Sequence, residues 1–170
     1  LFDRKLVLST ALFQSEKLNA RVTDPNNTAF SILGGTQRVR GVEVAAQGAI
    51  TDRWPVTGGF AYLDSAVTTT TLSLTPGNPL ANVPKFSGSV FTTYRLPWHD
   101  IQIGGGLNAL SPRLASSSPN ATTGALLKAP GYMTVQAMVK VPLREGLDLQ
   151  VNGYNLTNQR YYDLLHPAHV

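Results

Sequence analysis

A few residue sets in this chain have the types and spacing for chemistry. Gly104-Gly105-Gly106-Leu107-Asn108-Ala109 approaches a dinucleotide fingerprint, in which glycines let the backbone close on a pyrophosphate at a helix N-terminus. These glycines lie inside an alternating segment with no helical pattern after it, so close packing by small residues explains them better. His166 and His169 have a spacing that suits a metal on a helix, yet they flank Pro167 in a loop and lack further ligands; a solvated pair is the expected reading. Asn26-Asn27-Thr28, Asn120-Ala121-Thr122 and Asn155-Leu156-Thr157 fit the glycosylation sequon but read as loop and turn chemistry. There is no phosphate-binding loop and no Gly-x-Ser-x-Gly elbow. Without cysteine, neither a disulfide nor a thiolate metal site is available. The 14 Lys and Arg against 10 Asp and Glu leave a net charge of +4 with no run of five cations, so no nucleic-acid partner is expected. The chain is expected to be no enzyme and to hold no resident metal or cofactor.

The elements that position these residues are strands. Charged residues make up 14%, against about 25% in ordinary soluble domains, while apolar residues reach 42%. Thr, Ser, Asn, Gln and Gly take up the difference, as they would if each strand had one apolar face. No apolar run reaches the roughly 18 residues of a membrane-crossing helix. A β-barrel is not excluded, because alternation dilutes its apolar residues. Val42, Val44, Ala46, Gly48 and Ile50 alternate with Gly41, Glu43, Ala45, Gln47 and Ala49. Ile101, Ile103, Gly105, Leu107 and Ala109 oppose Gln102, Gly104, Gly106 and Asn108, and Met133, Val135, Ala137, Val139 and Val141 oppose Thr134, Gln136, Met138 and Lys140. Leu147, Leu149, Val151 and Gly153 alternate with Asp148, Gln150, Asn152 and Tyr154. About seven such segments are predicted. The two holding Leu6, Leu8 and Leu12 and holding Val56, Phe60 and Tyr62 do not settle which face is the apolar one, and Phe91 interrupts the polar row of another.

Turn-forming clusters sort into two kinds. Short ones lie at Leu1 to Arg4, Thr51 to Pro55, Pro97 to Asp100 and Pro142 to Gly146; long polar stretches run approximately from Arg21 to Thr36, Ser65 to Pro84 and Ser111 to Pro130. Tight turns at one end and extended loops at the other is the asymmetry of an outer-membrane barrel. Trp54, Tyr94 and Trp98 fall at the short-turn ends, and Tyr62, Tyr132, Tyr161 and Tyr162 near the long-loop ends, as two aromatic girdles would.

Several segments resemble the siderophore-type TonB-dependent receptors. Leu147 to Tyr154 followed by Asn155-Leu156-Thr157-Asn158-Gln159-Arg160-Tyr161-Tyr162-Asp163 is similar to the penultimate barrel strand and the loop after it. Gln37-Arg38-Val39-Arg40-Gly41-Val42-Glu43-Val44, Gly58-Gly59-Phe60-Ala61-Tyr62-Leu63-Asp64-Ser65, Asn82-Val83-Pro84-Lys85-Phe86 and Pro130-Gly131-Tyr132 resemble other strands of that family, in order, over nearly the whole chain. The resemblance implies an all-β antiparallel meander of long strands: a partial transmembrane β-barrel of about seven strands out of 22. Residues 1–170 would then be a C-terminal portion of the barrel, without the plug domain and the last strand. The start at Leu1-Phe2-Asp3-Arg4-Lys5, with neither Met nor a signal-peptide pattern, fits a chain that begins in mid-protein.

For function, the resemblance implies TonB-dependent uptake of ferric siderophore across the outer membrane of a Gram-negative bacterium. Iron would be cargo in a chelate. The implied partners are ferric siderophore, outer-membrane lipid and lipopolysaccharide, the receptor's own plug domain, and the TonB complex through the missing N-terminal region. Arg38 and Arg40 near the outer mouth, with Lys85, Arg113, Lys128 and Arg160, are candidates for a cationic vestibule that attracts an anionic chelate. Pairing with lipopolysaccharide phosphates or with acids on neighbouring strands stands as the equal alternative. Glu43, Gln136 and Lys140 are expected to face the lumen, where they meet plug or water. The rival readings are another outer-membrane barrel, such as a porin or barrel hydrolase, and a soluble all-β sandwich.

Overall fold

Alternation along each segment becomes one continuous antiparallel meander. The computed structural model describes residues 5–24, 26–27, 29–69, 76–119 and 123–165. Seven strands lie in a single sheet in sequence order: β1 (Leu6–Thr23), β2 (Ser31–Thr51), β3 (Trp54–Thr69), β4 (Phe86–Arg95), β5 (Gln102–Leu110), β8 (Tyr132–Arg144) and β9 (Leu147–Gly153). Two short strands, β6 (Arg113–Leu114) and β7 (Lys128–Ala129), pair with each other inside the β5–β8 connection. No described helix is long and apolar enough to cross a membrane, which says nothing about strands.

Residues directly opposite each other in an antiparallel ladder share a face, so the register decides which rows meet. Leu8 pairs with Ala46, Leu12 with Val42, Val44 with Phe60, Val42 with Tyr62, and Phe60 with Gly88. The row continues through Val90 opposite Leu107, Leu107 opposite Val135, and Val139 opposite Val151. One apolar face therefore runs across all seven strands. This settles the first and third strands: Leu6, Leu8 and Leu12 belong to it, and so do Val56, Phe60 and Tyr62. Along the other face run Ala45 with Gly59, Ala61 with Ser87, Ser89 with Asn108, and Asn108 with Thr134.

Phe91 stands on the polar face for a packing reason. A Cβ on Gly106 would lie 2.6 Å from Phe91 Cδ2, and one on Gly104 would lie 3.2 Å from its Cζ. The ring thus covers two glycines of the neighbouring strand, which fills the space their missing side chains leave.

Within the described residues the turns divide as expected, with corrections to their extent; the turn expected at Leu1 to Arg4 lies outside them, and of the loop expected from Ser65 to Pro84 the stretch up to Thr69 is β3. Asp52-Arg53 joins β2 to β3, and Glu145-Gly146, with Gly146 at φ 73°, joins β8 to β9. Pro142 to Arg144 belong to β8, where Pro142 sits at a register shift that tolerates its missing donor. At the opposite end, most of the stretch from Arg21 to Thr36 is paired strand, since β1 reaches Thr23 and β2 starts at Ser31. Strand beyond an apolar band needs no apolar alternation to pair, so its polar sequence reads as loop.

No second layer covers the apolar face among the described residues. Leu12 is 77% exposed, Phe60 48% and Val151 62%. The buried cluster of Ala115, Ala129 and Leu165, with Leu127 packed against it, sits instead at the long-loop end.

Candidate functional site

The polar face and the loop cluster above it are the places where this sheet can meet a solute. Glu43, Gln136 and Lys140 occupy that face by register, opposite Ala61, Gly106 and Gln102 respectively. A shallow groove of about 400 Å3 runs along it between Glu43 and Asn108, floored by Ala45, Gly59, Ala61 and Ser87. Lys140 is bound to Asp148 at 2.7 Å, near the short-turn end.

At the long-loop end, connections from different strand pairs lock into one unit. Asn82, in the left-handed region at φ 59°, accepts the Leu165 amide on Oδ1 at 3.0 Å and donates from Nδ2 to the Leu165 carbonyl at 2.9 Å. Its own amide donates to Leu114. Ser117 accepts the Ala81 amide on its hydroxyl and the Asn78 side-chain amide on its carbonyl. The Arg113 guanidinium donates from Nη2 to the carbonyls of Tyr162 and Asp163, both at 2.5 Å, with the residue only 9% exposed. Asn155 starts this segment by bonding Gln159 in both directions, a closed turn that aims the chain back across the sheet. Sequence reasoning missed Asn82 and Ser117, whose partners lie dozens of positions away. The one local signal was an Asn before Val83-Pro84, a residue type that tolerates the left-handed region.

The six candidate cations fall into three places. Lys85, Arg113 and Lys128 come together around a cavity of about 280 Å3 that Asp64 and Ser65 also line. Lys85 additionally stands 5.8 Å from the Tyr62 ring centroid, a cation–π arrangement. Arg160 is exposed on the segment after β9. Arg38 and Arg40 belong elsewhere. Arg40 pairs with Gln14 and Asp64, and Arg38 with Glu16 and Ala66, in unbroken register with Val42 and Val44. They project from the apolar face, just past its apolar rows, and Arg40 Nε donates to Asp64 Oδ2 at 2.8 Å. The reason is parity: three even-numbered steps along one strand cannot change face.

The aromatic expectation divides similarly. Trp54 and Tyr94 meet edge-on at 6.4 Å on the apolar face, and Trp54 Nε1 donates to Thr92. Tyr62 packs on Phe86 at the other end of the same face. Tyr132 lies on the polar face opposite Leu110 and stacks on Tyr161 at 4.2 Å, so it belongs to the loop unit and not to a girdle. His166 and His169, Thr28 of the first sequon, and residues 120–122 lie outside the described residues.

A family description, "TonB dependent receptor-like, beta-barrel", matches residues 1–156. The chain belongs to that family. It is 32% identical over 96% of its length to the metal-pseudopaline receptor of Pseudomonas aeruginosa, and 32% identical over 98% to a probable TonB-dependent siderophore receptor of Acinetobacter baumannii. In each case it spans 23% of the relative's length. Against the crystal structure of that Acinetobacter siderophore receptor the TM-score is 0.84 at 29% identity, covering 98% of this chain and 24% of the other. These relatives are receptors and transporters, not enzymes. The all-β reading and the family resemblance both hold, and the sheet is an open part of such a barrel.

Proposed function

We propose that this chain is the C-terminal part of the wall and outer mouth of a TonB-dependent receptor that imports ferric siderophore through the bacterial outer membrane. Family membership over residues 1–156, joined to a sheet with one continuous apolar face, carries the reading. The apolar face meets hydrocarbon and lipopolysaccharide; the polar face meets the receptor's plug domain and water. Its polar groups, Glu43, Gln136 and Lys140 among them, offer hydrogen bonds and charge to that plug. At the mouth, Lys85, Lys128 and Arg160 attract the anionic chelate, while Arg113 holds the loops that shape the cavity. TonB acts on the receptor through its N-terminal region, and iron passes as cargo without binding these residues directly. The wall does no bond chemistry.

The test is uptake of labelled ferric chelates by cells whose receptor gene carries this segment, in a strain without competing receptors. Uptake of a hydroxamate or catecholate chelate that stops when the proton gradient is collapsed is the expected result. Charge removal at Lys85, Lys128 and Arg160 together should weaken chelate binding about tenfold at low salt and less at high salt. Uptake that is absent for every chelate, or that survives loss of the gradient, would reject the reading.

A further inference from the structure

Arg38 and Arg40 are not explained by a vestibule, because they stand on the face that the proposed function gives to the membrane. Below them on that face lie Leu12, Val42 and Tyr62, and a groove of about 520 Å3 connects these apolar side chains to Gln14, Arg40 and Asp64. The groove is therefore graded, apolar toward the middle of the sheet and polar toward the loops. Depth agrees. Trp54 and Tyr62 are eight residues apart on β3, roughly 26 Å along the strand at about 3.3 Å per residue, or about 20 Å of height at the tilt of barrel strands, within an apolar band about 25 Å tall. Arg40 and Arg38 are two and four residues past Val42, about 5 and 10 Å higher, at the upper edge of that band and the level of headgroups.

The charges there are prepared for an anion. Asp64 takes the Nε of Arg40, which fixes the plane of the guanidinium, and its terminal amino groups have no partner among the described residues. Arg38 lies opposite Glu16, but Glu16 accepts from Gln14 at 3.2 Å and makes no ion pair with Arg38 among the described residues. Arg38 Nε is buried and has no hydrogen-bond partner among the described residues. A buried donor without a partner asks for one. Planar guanidinium groups suit phosphate oxygens, which they bind in pairs of parallel hydrogen bonds.

We infer that this groove, with Arg38 one step beyond its Arg40 end, binds one phosphorylated outer-leaflet lipid, a lipopolysaccharide, with an acyl chain along Leu12, Val42 and Tyr62 and a phosphate on Arg40 and Arg38. This rests on the membrane reading above and names the site of one of its partners. Free phosphate has no use for the apolar half of the groove, and a second protein would not need the vertical grading.

The experiment uses the complete receptor, purified from the outer membrane in mild detergent, with retained lipid A-type molecules measured by native mass spectrometry. The wild type should keep a bisphosphorylated lipid A and lose it on enzymatic dephosphorylation. Arg38→Gln with Arg40→Gln should retain about tenfold less, Arg38→Lys with Arg40→Lys an intermediate amount, and Lys17→Gln, opposite Gln37 on the other face, as much as the wild type. Equal retention by the double Gln variant, equal retention of the dephosphorylated lipid, or displacement by inorganic phosphate alone overturns the inference. So does a fall in ferric-chelate affinity with lipid retention unchanged, which would return the arginines to the vestibule. A wild-type receptor that holds no lipid and stays dispersed without detergent would instead reject the membrane reading itself.

Discussion

The Arg113 guanidinium reaches two carbonyls of the segment after β9, so its truncation removes the anchor of that segment rather than a free surface charge. Hydrogen bonds from a charged donor contribute about 1.5–3 kcal/mol each where water competes poorly. Arg113→Ala should therefore loosen residues 160–165 by about 2 kcal/mol, read as roughly thirtyfold faster amide exchange there, with the exchange of β2 and β3 unchanged. Asn82→Gly keeps a backbone that accepts φ 59° but deletes both side-chain bonds to Leu165. It should loosen the same segment, and unchanged exchange in both variants would show that the loop unit is held by its apolar cluster instead. At the opposite end, a hydrogen bond and the charge of Lys5 hold the Asp52 carboxyl below its ordinary 3.8. A depressed carboxylate contributes above its unfolded pKa and loses that contribution as pH falls through the folded value. Carboxyl NMR should thus give an Asp52 midpoint under 3.8 that returns to the ordinary range in Lys5→Gln. Both groups are exposed, so the effect on overall stability is small.

Strand β2 gives the sharpest contrast between neighbouring positions. Val44 pairs with Thr10 and Phe60 on the apolar face, whereas Ala45 pairs with Ser9 and Gly59 on the polar one. In the complete receptor Val44→Arg should cost about 2–4 kcal/mol, the penalty of a cation facing lipid near the midplane, and Ala45→Arg close to nothing. Folding into liposomes under a urea series measures both, and equal penalties would mean that β2 does not separate lipid from water. Between β4 and β5 the critical contact is Phe91 over Gly106. Gly106→Ala brings a Cβ to 2.6 Å from both the ring and the Val90 carbonyl, an overpacking that costs about 1–3 kcal/mol. Adding Phe91→Ala should recover part of that loss, since the ring can be removed but the carbonyl cannot. Read along one strand, Phe91 interrupts a polar row; its purpose lies in glycines on the next strand.

Among the described residues the sheet has two unpaired edges, β1 and β9, and an apolar face that nothing covers. Produced by itself, this 170-residue chain should aggregate in buffer and disperse only in detergent, because open edges and an exposed apolar face both favour association. Light scattering with and without detergent decides it; a dispersed monomer in plain buffer would count against the barrel wall. The seven long strands, the antiparallel meander and the division into short turns and long loops were legible in the chain, since a period of two and turn chemistry are local properties; the two-residue strands β6 and β7 are too short to show a period. So was the likeness to the receptor family. The parity of Arg38 and Arg40 with Val42 was also written there, but its meaning depended on an unbroken ladder from Gln37 to Ala49, which hydrogen bonding between strands alone establishes. The apolar side of β1 and β3, the position of Tyr132, and the locking of Asn82 onto Leu165 came from partners distant in the chain. Tertiary structure decided those, because which rows share a face and which loops meet are set by register and closure, and neither is a property of any short segment.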